Sequence, residues 1–191
     1  DLTGKYTDLK ATVDGLSAEV KKDIKITGGG NLILGSESFK NAELKGNTGD
    51  GSSITYELTG GATMANTNSN RYFRWTTVGA YVAKGVTLCL SVMYKPVSGA
   101  DEFCMEIAYT AGYSTSQSWA TIKPTDQLEI EQTDGWVLRY GLWTPPDNAT
   151  LKLVDMGSGT THAGTGNYTN KFSLLHPMLQ YGNAPTAWNA S

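Results

Sequence analysis

The sequence predicts an all-β domain, a jelly-roll β-sandwich, preceded by an N-terminal coiled-coil helix. Before Gly28-Gly29-Gly30 the apolar residues recur every three or four positions, whereas after it they recur at every second position in short runs. These runs are separated by clusters of Gly, Pro, Asn and Asp, the residues that favour turns. We therefore expect a helix at residues 1–27, a glycine hinge at 28–30 and a β-domain at 31–191.

The helix carries a heptad pattern. Val or Tyr stands at position a and Leu at position d, which predicts a seam for self-association. The seam residues are Leu2, Tyr6, Leu9, Val13, Leu16 and Val20. Val at a with Leu at d favours a dimer, but Lys5 would face Lys10 of a parallel dimer partner, so homodimer and homotrimer both stay open. The alternative is an amphipathic helix that packs on its own β-domain.

The β-domain is predicted from short alternating runs. The expected strands are Asn31–Leu34, Ser52–Leu58, Arg71–Thr76, Val86–Tyr94, Glu102–Thr110, Gln127–Glu131, Trp136–Trp143, Ala149–Asp155 and Tyr168–Leu175. Turn signals separate them, among them Gly49-Asp50-Gly51 and Pro96-Val97-Ser98-Gly99. The runs Val86–Tyr94 and Glu102–Thr110 flank a short polar loop, so we expect them to pair with each other. No helical pattern separates the strands, which favours an antiparallel sandwich over a parallel α/β sheet.

Composition and charge exclude several functions. The net charge is −3 and charged residues make up only 17% of the 191 residues, so we expect no nucleic acid partner. No stretch approaches the roughly 20 apolar residues of a membrane helix, so no membrane insertion is expected. The chain has no starting Met and its helical pattern is already under way at Leu2, so we expect a fragment of a longer chain. Cys89 and Cys104 are predicted to be reduced thiols, with a cross-strand disulfide as the alternative.

The residue types required for catalysis do not occur in a catalytic pattern. His162 and His176 have no metal-ligand spacing to each other or to the cysteines, and there is no nucleophile elbow or phosphate loop. Carboxylates that could form a glycosidase pair stand at Glu102, Glu106, Glu129, Glu131 and Asp134. Carboxylates on the polar faces of strands are usually solvated, so we expect no enzyme activity, no metal and no cofactor.

Saccharide binding requires flat aromatic rings that stack on the C–H faces of sugars. It also requires nearby side chains that form hydrogen bonds with the sugar hydroxyl groups. Two segments of the chain combine these features, Asn66–Trp75 and Gly112–Trp119. The candidate binding residues are Trp75, Trp119, Tyr113, Tyr72, Arg71, Arg74, Gln117 and Tyr81. The alternative for each aromatic residue is a place in the core.

Four segments in order resemble carbohydrate-binding-module-like jelly rolls of bacteriophage tail and baseplate proteins. They are Asn31–Ser36, Lys84–Lys95, Asp134–Arg139 and Phe172–Trp188, which together span the β-domain. The preceding Thr12–Leu16 is similar to coiled-coil segments of phage tail fibres. Gln180 stands where the family carries Glu, and Ala187 where it carries Asp. Because calcium requires hard oxygen ligands, these two differences weaken any inference of a calcium ion.

The resemblance implies a non-catalytic module that binds host cell-surface polysaccharide. It implies display as an oligomer through the coiled coil, among other phage tail proteins. The expected location is the virion tail, made in the host cytoplasm and acting extracellularly. Two alternatives remain open, a spacer or assembly domain of a tail fibre that binds no sugar, and an accessory domain of a polysaccharide-degrading enzyme.

Overall fold

The computed structural model describes residues 30–47, 51–159 and 168–188. The strands are β1 (Glu43–Asn47), β2 (Ser53–Tyr56), β3 (Ala62–Thr76), β4 (Tyr81–Val82), β5 (Leu88–Gly99), β6 (Phe103–Ala111), β7 (Gln117–Ile122), β8 (Leu128–Glu131), β9 (Val137–Trp143), β10 (Ala149–Ser158) and β11 (Tyr168–Tyr181). Two 3₁₀ turns lie at Phe39–Asn41 and Pro124–Asp126. Neither of these described helices is long or apolar enough to cross a membrane. The predicted coiled coil, its seam residues and His162 lie outside the described residues.

The strands form one antiparallel sheet that curls into a β-sandwich. Its first half has the order β7-β6-β10-β3-β1, with β4 beside β10. Its second half has the order β8-β9-β5-β11-β3-β2. The 15-residue β3 belongs to both halves, because residues 62–69 pair with β11 and residues 71–76 pair with β10. We call the two halves the first and second sheets.

A single core lies between the two sheets. Phe103 and Ile107 from the first sheet and Leu90 and Phe172 from the second sheet are fully buried. The rings of Phe103 and Phe172 meet edge to face across the core, with centroids 5.6 Å apart. Burial of such side chains stabilises the fold by about 1.5–3 kcal/mol each. The outer faces of the sheets are consequently the places where ligands could bind.

The predicted pairing of the Val86–Tyr94 and Glu102–Thr110 runs is wrong. In the described structure β5 pairs with β9 and β11, whereas β6 pairs with β7 and β10. The short connection between them passes from one sheet to the other, and both apolar faces turn toward the same core. The rings of Tyr94 and Phe103 lie 5.1 Å apart there. Alternation correctly gives the inner face of each strand but contains no information about which sheet the strand joins.

Other boundaries also differ from the prediction. Asn31–Leu34 forms only an isolated bridge, between Ile33 and Thr77, because Asn31 Oδ1 accepts the backbone N–H groups of Ile33 and Leu179 instead. The predicted turn at Pro96–Gly99 is the end of β5. The strand continues through Pro96 because the register against β11 shifts there, at Lys171 and Phe172. The prediction did not include β1, β4, β7 or the first half of β3.

Both cysteines are free, which confirms the predicted reduced thiols. Cys89 lies on β5 in the second sheet and Cys104 lies on β6 in the first. Cys89 is 0% exposed and Cys104 is 4% exposed. Burial raises the pKa of each thiol to about 12.

Candidate functional site

The outer face of the first sheet carries a row of polar residues that runs across five neighbouring strands. The row consists of Glu43, Arg74, Asp155, Glu106 and Thr121, each directly opposite the next in strand register. Alternation along β3, β10 and β6 turns the intervening apolar residues toward the core. The row therefore lies on the side of the sheet away from the core.

Arg74 and Asp155 form the centre of this row. The Arg74 guanidinium donates from Nε to Asp155 Oδ1 at 2.8 Å and from Nη2 to Oδ2 at 2.6 Å. The Asp155 side chain is 0% exposed and that of Arg74 is 19% exposed. The hydrogen bond that Asp155 accepts raises the pKa of Arg74 against the opposing effect of burial. The two-point contact fixes the plane of the guanidinium.

A second carboxylate lies beside this pair. Glu106 is the cross-strand neighbour of Asp155 and is also 0% exposed. The Thr121 hydroxyl donates to Glu106 Oε1 at 3.0 Å. Like charges directly opposite in a sheet destabilise it. The adjacent guanidinium of Arg74 offsets that repulsion.

Two aromatic rings flank the Arg74 guanidinium. Its central carbon lies 5.5 Å from the Tyr72 ring centroid and 5.2 Å from the Trp119 ring centroid. Small residues stand opposite both rings in strand register, Gly157 beside Tyr72 and Ala108 beside Trp119. A β-carbon at Gly157 would come within 2.6 Å of Tyr72 Cβ, so glycine leaves the space for Tyr72. Tyr72 is buried and Trp119 is half-buried.

We name this cluster the Arg74 patch and define it as Tyr72, Arg74, Glu106, Trp119 and Asp155. It offers an aromatic surface at Trp119 and a cation that the buried Asp155 carboxylate holds in position. No group of three His, Cys, Asp or Glu side chains that could hold a metal ion occurs in the described part of the chain. Its chemistry suits hydroxyl groups and apolar ring faces.

The patch brings together three of the candidate residues, Tyr72, Arg74 and Trp119. A fourth, Gln117, is exposed at the start of β7, two residues before Trp119 and therefore on the same side of that strand. The loop predicted for residues 112–119 is a shorter turn followed by this strand. Formation of β7 thus places Trp119 beside a residue 45 positions earlier in the chain.

The placement of Trp75 as a binding residue is wrong. Trp75 is 2% exposed and packs edge-on against Phe39, with ring centroids 5.0 Å apart. Successive residues of a strand point to opposite faces, so Arg74 on the outer face turns Trp75 into the core. The ring cannot reach a ligand from there.

The remaining three candidates lie apart from the row. Arg71 has the strand phase opposite to that of Tyr72. Tyr113 is fully exposed in the turn between β6 and β7, and Tyr81 is 60% exposed on β4. Their role in binding stays a prediction.

Sequence reasoning missed Asp155 and interpreted Glu106 as solvated. Asp155 stands between the inward-facing Val154 and Met156, which marks it as an outer-face residue. Its burial depends on Arg74, 81 positions away, and that contact has no local sequence signal.

No protein-family model matches the chain, and no curated protein sequence matches it. Several solved structures are similar to it. The enzymatically active domain of tailspike protein 4 of bacteriophage CBA120 has a TM-score of 0.49 and 12% identity, over 79% of this chain and 21% of that chain. This chain thus spans about a fifth of the tailspike chain.

Carbohydrate-binding modules are also among the similar structures. The Clostridium thermocellum xylanase 10B fragment with its CBM22-1 and GH10 modules, complexed with xylohexaose, has a TM-score of 0.49 and 13% identity, over 81% of this chain and 29% of that one. A family 16 carbohydrate-binding module has a TM-score of 0.45 and 15% identity, over 78% of this chain and 99% of that one. At these low scores and identities the function has to be inferred from the residues of this chain.

Proposed function

We propose that the chain is a non-catalytic saccharide-binding module and that the Arg74 patch is its binding surface. The observation that carries the proposal is the half-buried Trp119 ring beside a guanidinium held in place by Asp155. A ring of this kind stacks on the apolar C–H face of a pyranose. Arg74 would donate to sugar hydroxyls, and the Asp155 carboxylate holds that donor in place.

Preorganisation supports this assignment. Arg74 and Trp119 are anchored by strand pairing and by Asp155, so few degrees of freedom are lost when a ligand binds. A surface built on strands also presents its contacts in a fixed geometry. Gln117, on the same side of β7 as Trp119, would extend the surface with an amide donor and acceptor.

The biological setting is the second part of the proposal. The resemblance of the four segments and of Thr12–Leu16 to phage tail proteins supports a virion tail module with a jelly-roll fold that binds host cell-surface polysaccharide. Oligomeric display through the predicted coiled coil would multiply weak contacts, with a gain in avidity on the order of 100-fold where geometry permits. Other phage tail proteins would then be its structural partners.

Two other roles compete with this one. The chain could be a spacer or assembly domain of a tail fibre that binds no sugar, or an accessory domain of a polysaccharide-degrading enzyme. The Arg74 patch favours binding over the spacer, because a spacer has no use for a solvent-facing Trp beside a positioned cation. A polysaccharide-degrading catalytic domain in the same polypeptide would favour the accessory domain over the phage protein.

The test is a bacterial surface polysaccharide array probed with the full chain. Trp119→Ala should weaken binding by at least about tenfold, which corresponds to about 1.4 kcal/mol. Trp119→Phe, which keeps a ring, should retain most of the affinity. Tyr113→Ala tests the competing candidate, since Tyr113 is a fully exposed aromatic of the neighbouring turn.

Folding of each variant would be checked by thermal melting. Binding that survives Trp119→Ala but is lost in Tyr113→Ala would move the site to the β6–β7 turn and sink the assignment to the Arg74 patch. Binding to no polysaccharide at all would favour the spacer role.

A further inference from the structure

A small cavity lies on the outer face of the second sheet, whereas the Arg74 patch lies on the outer face of the first. Its volume is about 180 Å³. Its floor is formed by side chains of β5, β9 and β11, and its wall by the C-terminal segment that follows β11. Its lining includes Ser91, Gln132, His176, Thr186, Ala187 and Trp188.

An irregularity in β11 builds one side of the cavity. The register between β11 and β5 shifts between Leu175 and Met178, so two residues of β11 stand opposite Val92 alone. One of these two is His176, whose φ of 56° lies in the left-handed region that few residues other than glycine adopt. Strain of this kind costs about 1–3 kcal/mol and is concentrated at functional sites.

The bulge brings His176 against Trp188. Their rings stack with centroids 4.1 Å apart and planes 17° apart. The Trp188 indole Nε1 donates to the backbone oxygen of Pro177 at 3.3 Å. The Trp ring is thereby held as part of the wall, with its position fixed by a stack and by a hydrogen bond.

Gln180 holds the rest of the C-terminal segment in place by two hydrogen bonds. Its Nε2 donates to the backbone oxygen of Ala184 at 2.7 Å, and its Oε1 accepts from the Thr186 hydroxyl at 2.7 Å. A carboxylate at this position could only accept, and would lose the bond to Ala184. The replacement of the family's Glu by Gln thus suits the closed wall. Ala187, where the family carries Asp, keeps a carboxylate out of the cavity.

The lining combines apolar and polar groups. Side chains of Met93, Leu138 and Met178 supply apolar surface, and Ser91, Gln132 and Thr186 supply hydroxyl and amide groups. Burial lowers the pKa of His176, so its imidazole is neutral at neutral pH and keeps one nitrogen as an acceptor. A wholly apolar ligand would displace solvent from the Ser91 hydroxyl and the His176 acceptor nitrogen without offering a hydrogen-bond partner in return.

We propose that this cavity is a second saccharide site, which takes one sugar ring beside the Trp188–His176 pair. A cavity of about 150 Å³ in another protein encloses one benzene ring. A pyranose with its hydroxyl groups is larger than benzene, so this cavity would take one face of the sugar ring and leave the other face in solvent. The ring could be a free monosaccharide or the end residue of a longer chain, because both present the same faces and hydroxyls. The site does not depend on the Arg74 patch, which lies on the other sheet.

The experiment follows the Trp188 indole N–H signal by NMR in the full chain during titration with methyl glycosides of glucose, galactose, mannose and N-acetylglucosamine. We expect saturable shifts of that signal at millimolar concentrations of at least one glycoside. A Trp119→Ala background removes the proposed primary surface, and the Trp188 response should persist in it. Loss of saccharide binding at the Arg74 patch would therefore leave this result unchanged.

Ala187→Leu is the blocking variant, because it fills the cavity from its wall and leaves both rings in place. It should weaken the Trp188 response by at least about tenfold without lowering the melting temperature of the protein. An oligosaccharide titration then separates the two sources of the ring, since an end residue binds at lower concentration than the free monosaccharide. No response to any glycoside at tens of millimolar, or a response only to phenol used as an apolar probe, would overturn the proposal.

Discussion

Arg74 and Asp155, 81 residues apart in the chain, form a two-point ion pair on the outer face of the first sheet, with donor–acceptor distances of 2.8 and 2.6 Å. The carboxylate is fully buried and the guanidinium is mostly buried. Removal of one partner from a buried pair costs about 3–5 kcal/mol, because the other charge stays buried. Replacement of both partners by apolar residues can be nearly neutral.

We therefore expect Arg74→Met to lower the free energy of unfolding by about 3 kcal/mol. The double variant Arg74→Met with Asp155→Leu should recover most of this loss. Urea denaturation measures both, provided that the slope of the transition stays constant. A loss below about 1 kcal/mol in the single variant would mean that the pair behaves as an exposed salt bridge.

The same pair shows how far the sequence predicts the site. Tyr72, Arg74 and Trp119 were identified from residue type and a polar setting, and the fold brings them together. Trp75 was placed with them although its strand phase is opposite to that of Arg74. In a strand a shift of one position changes the face, so adjacent candidates cannot both line one surface.

Long-range contacts account for what could not be predicted. The inner faces of β5 and β6 follow from alternation, but their separation into two sheets depends on which distant strands they join. Asp155 and Glu106 look like solvated carboxylates in the sequence. Only the register of β10 between β3 and β6 makes Asp155 a buried neighbour of Arg74 and Glu106 a buried neighbour of Asp155.

Gly141 of β9 lies against Ile122 of β7, where the edges of the two sheets meet. A β-carbon there would lie 2.3 Å from Ile122 Cγ2, which is impossible without movement of β7 or β9. Because Ile122 is β-branched and 5% exposed, it has little freedom to yield. Gly141→Ala should lower the unfolding free energy by about 1–3 kcal/mol in urea denaturation.

The matched variant is Gly141→Ala combined with Ile122→Ala. If the clash is the cause, Gly141→Ala should cost less in the Ile122→Ala background than in the parent protein. Equal costs in both backgrounds would assign the effect to something other than this contact.

Gln180 holds the C-terminal segment through its hydrogen bonds to Ala184 and Thr186, so Gln180→Glu should loosen this segment. The change removes the donor to Ala184 O and places a carboxylate at a site that is 1% exposed. We expect the free energy of local opening of this segment to fall by about 1–3 kcal/mol. Faster solvent exchange of the Trp188 indole N–H would report it.

Asn183→Asp is the control for Gln180→Glu. It makes the same amide-to-acid change in the same segment, at an exposed position. Its Trp188 exchange rate should equal that of the parent protein. If Asn183→Asp speeds exchange as much as Gln180→Glu, added charge rather than the lost donor is responsible.

The two thiols should be unreactive in the folded protein. With a pKa of about 12, each thiol is a thiolate at pH 8 roughly 1,000-fold less often than a thiol with an ordinary pKa near 9. Reaction with a disulfide reagent should be slower by at least that factor. The unfolded chain in guanidinium should react at both cysteines at the ordinary rate. Rapid labelling of one cysteine in the folded protein would show that its burial is not maintained.

His176 predicts a pH dependence of stability. Burial lowers its pKa in the folded protein below the ordinary value of 6.5, so the folded state disfavours the imidazolium. The unfolded chain therefore binds the proton first as the pH falls. The contribution of His176 to the free energy of unfolding is fully present above pH 6.5. It decreases as the pH falls from 6.5 toward the pKa of His176 in the folded state.

The comparison is the free energy of unfolding between pH 7.5 and 5 for the parent and for His176→Asn. Asn accepts a positive φ more readily than most residues and does not titrate, so it removes the proton and keeps the bulge. We expect the parent to lose more stability than the variant below pH 6.5. Parallel pH profiles would show that His176 does not have a lowered pKa.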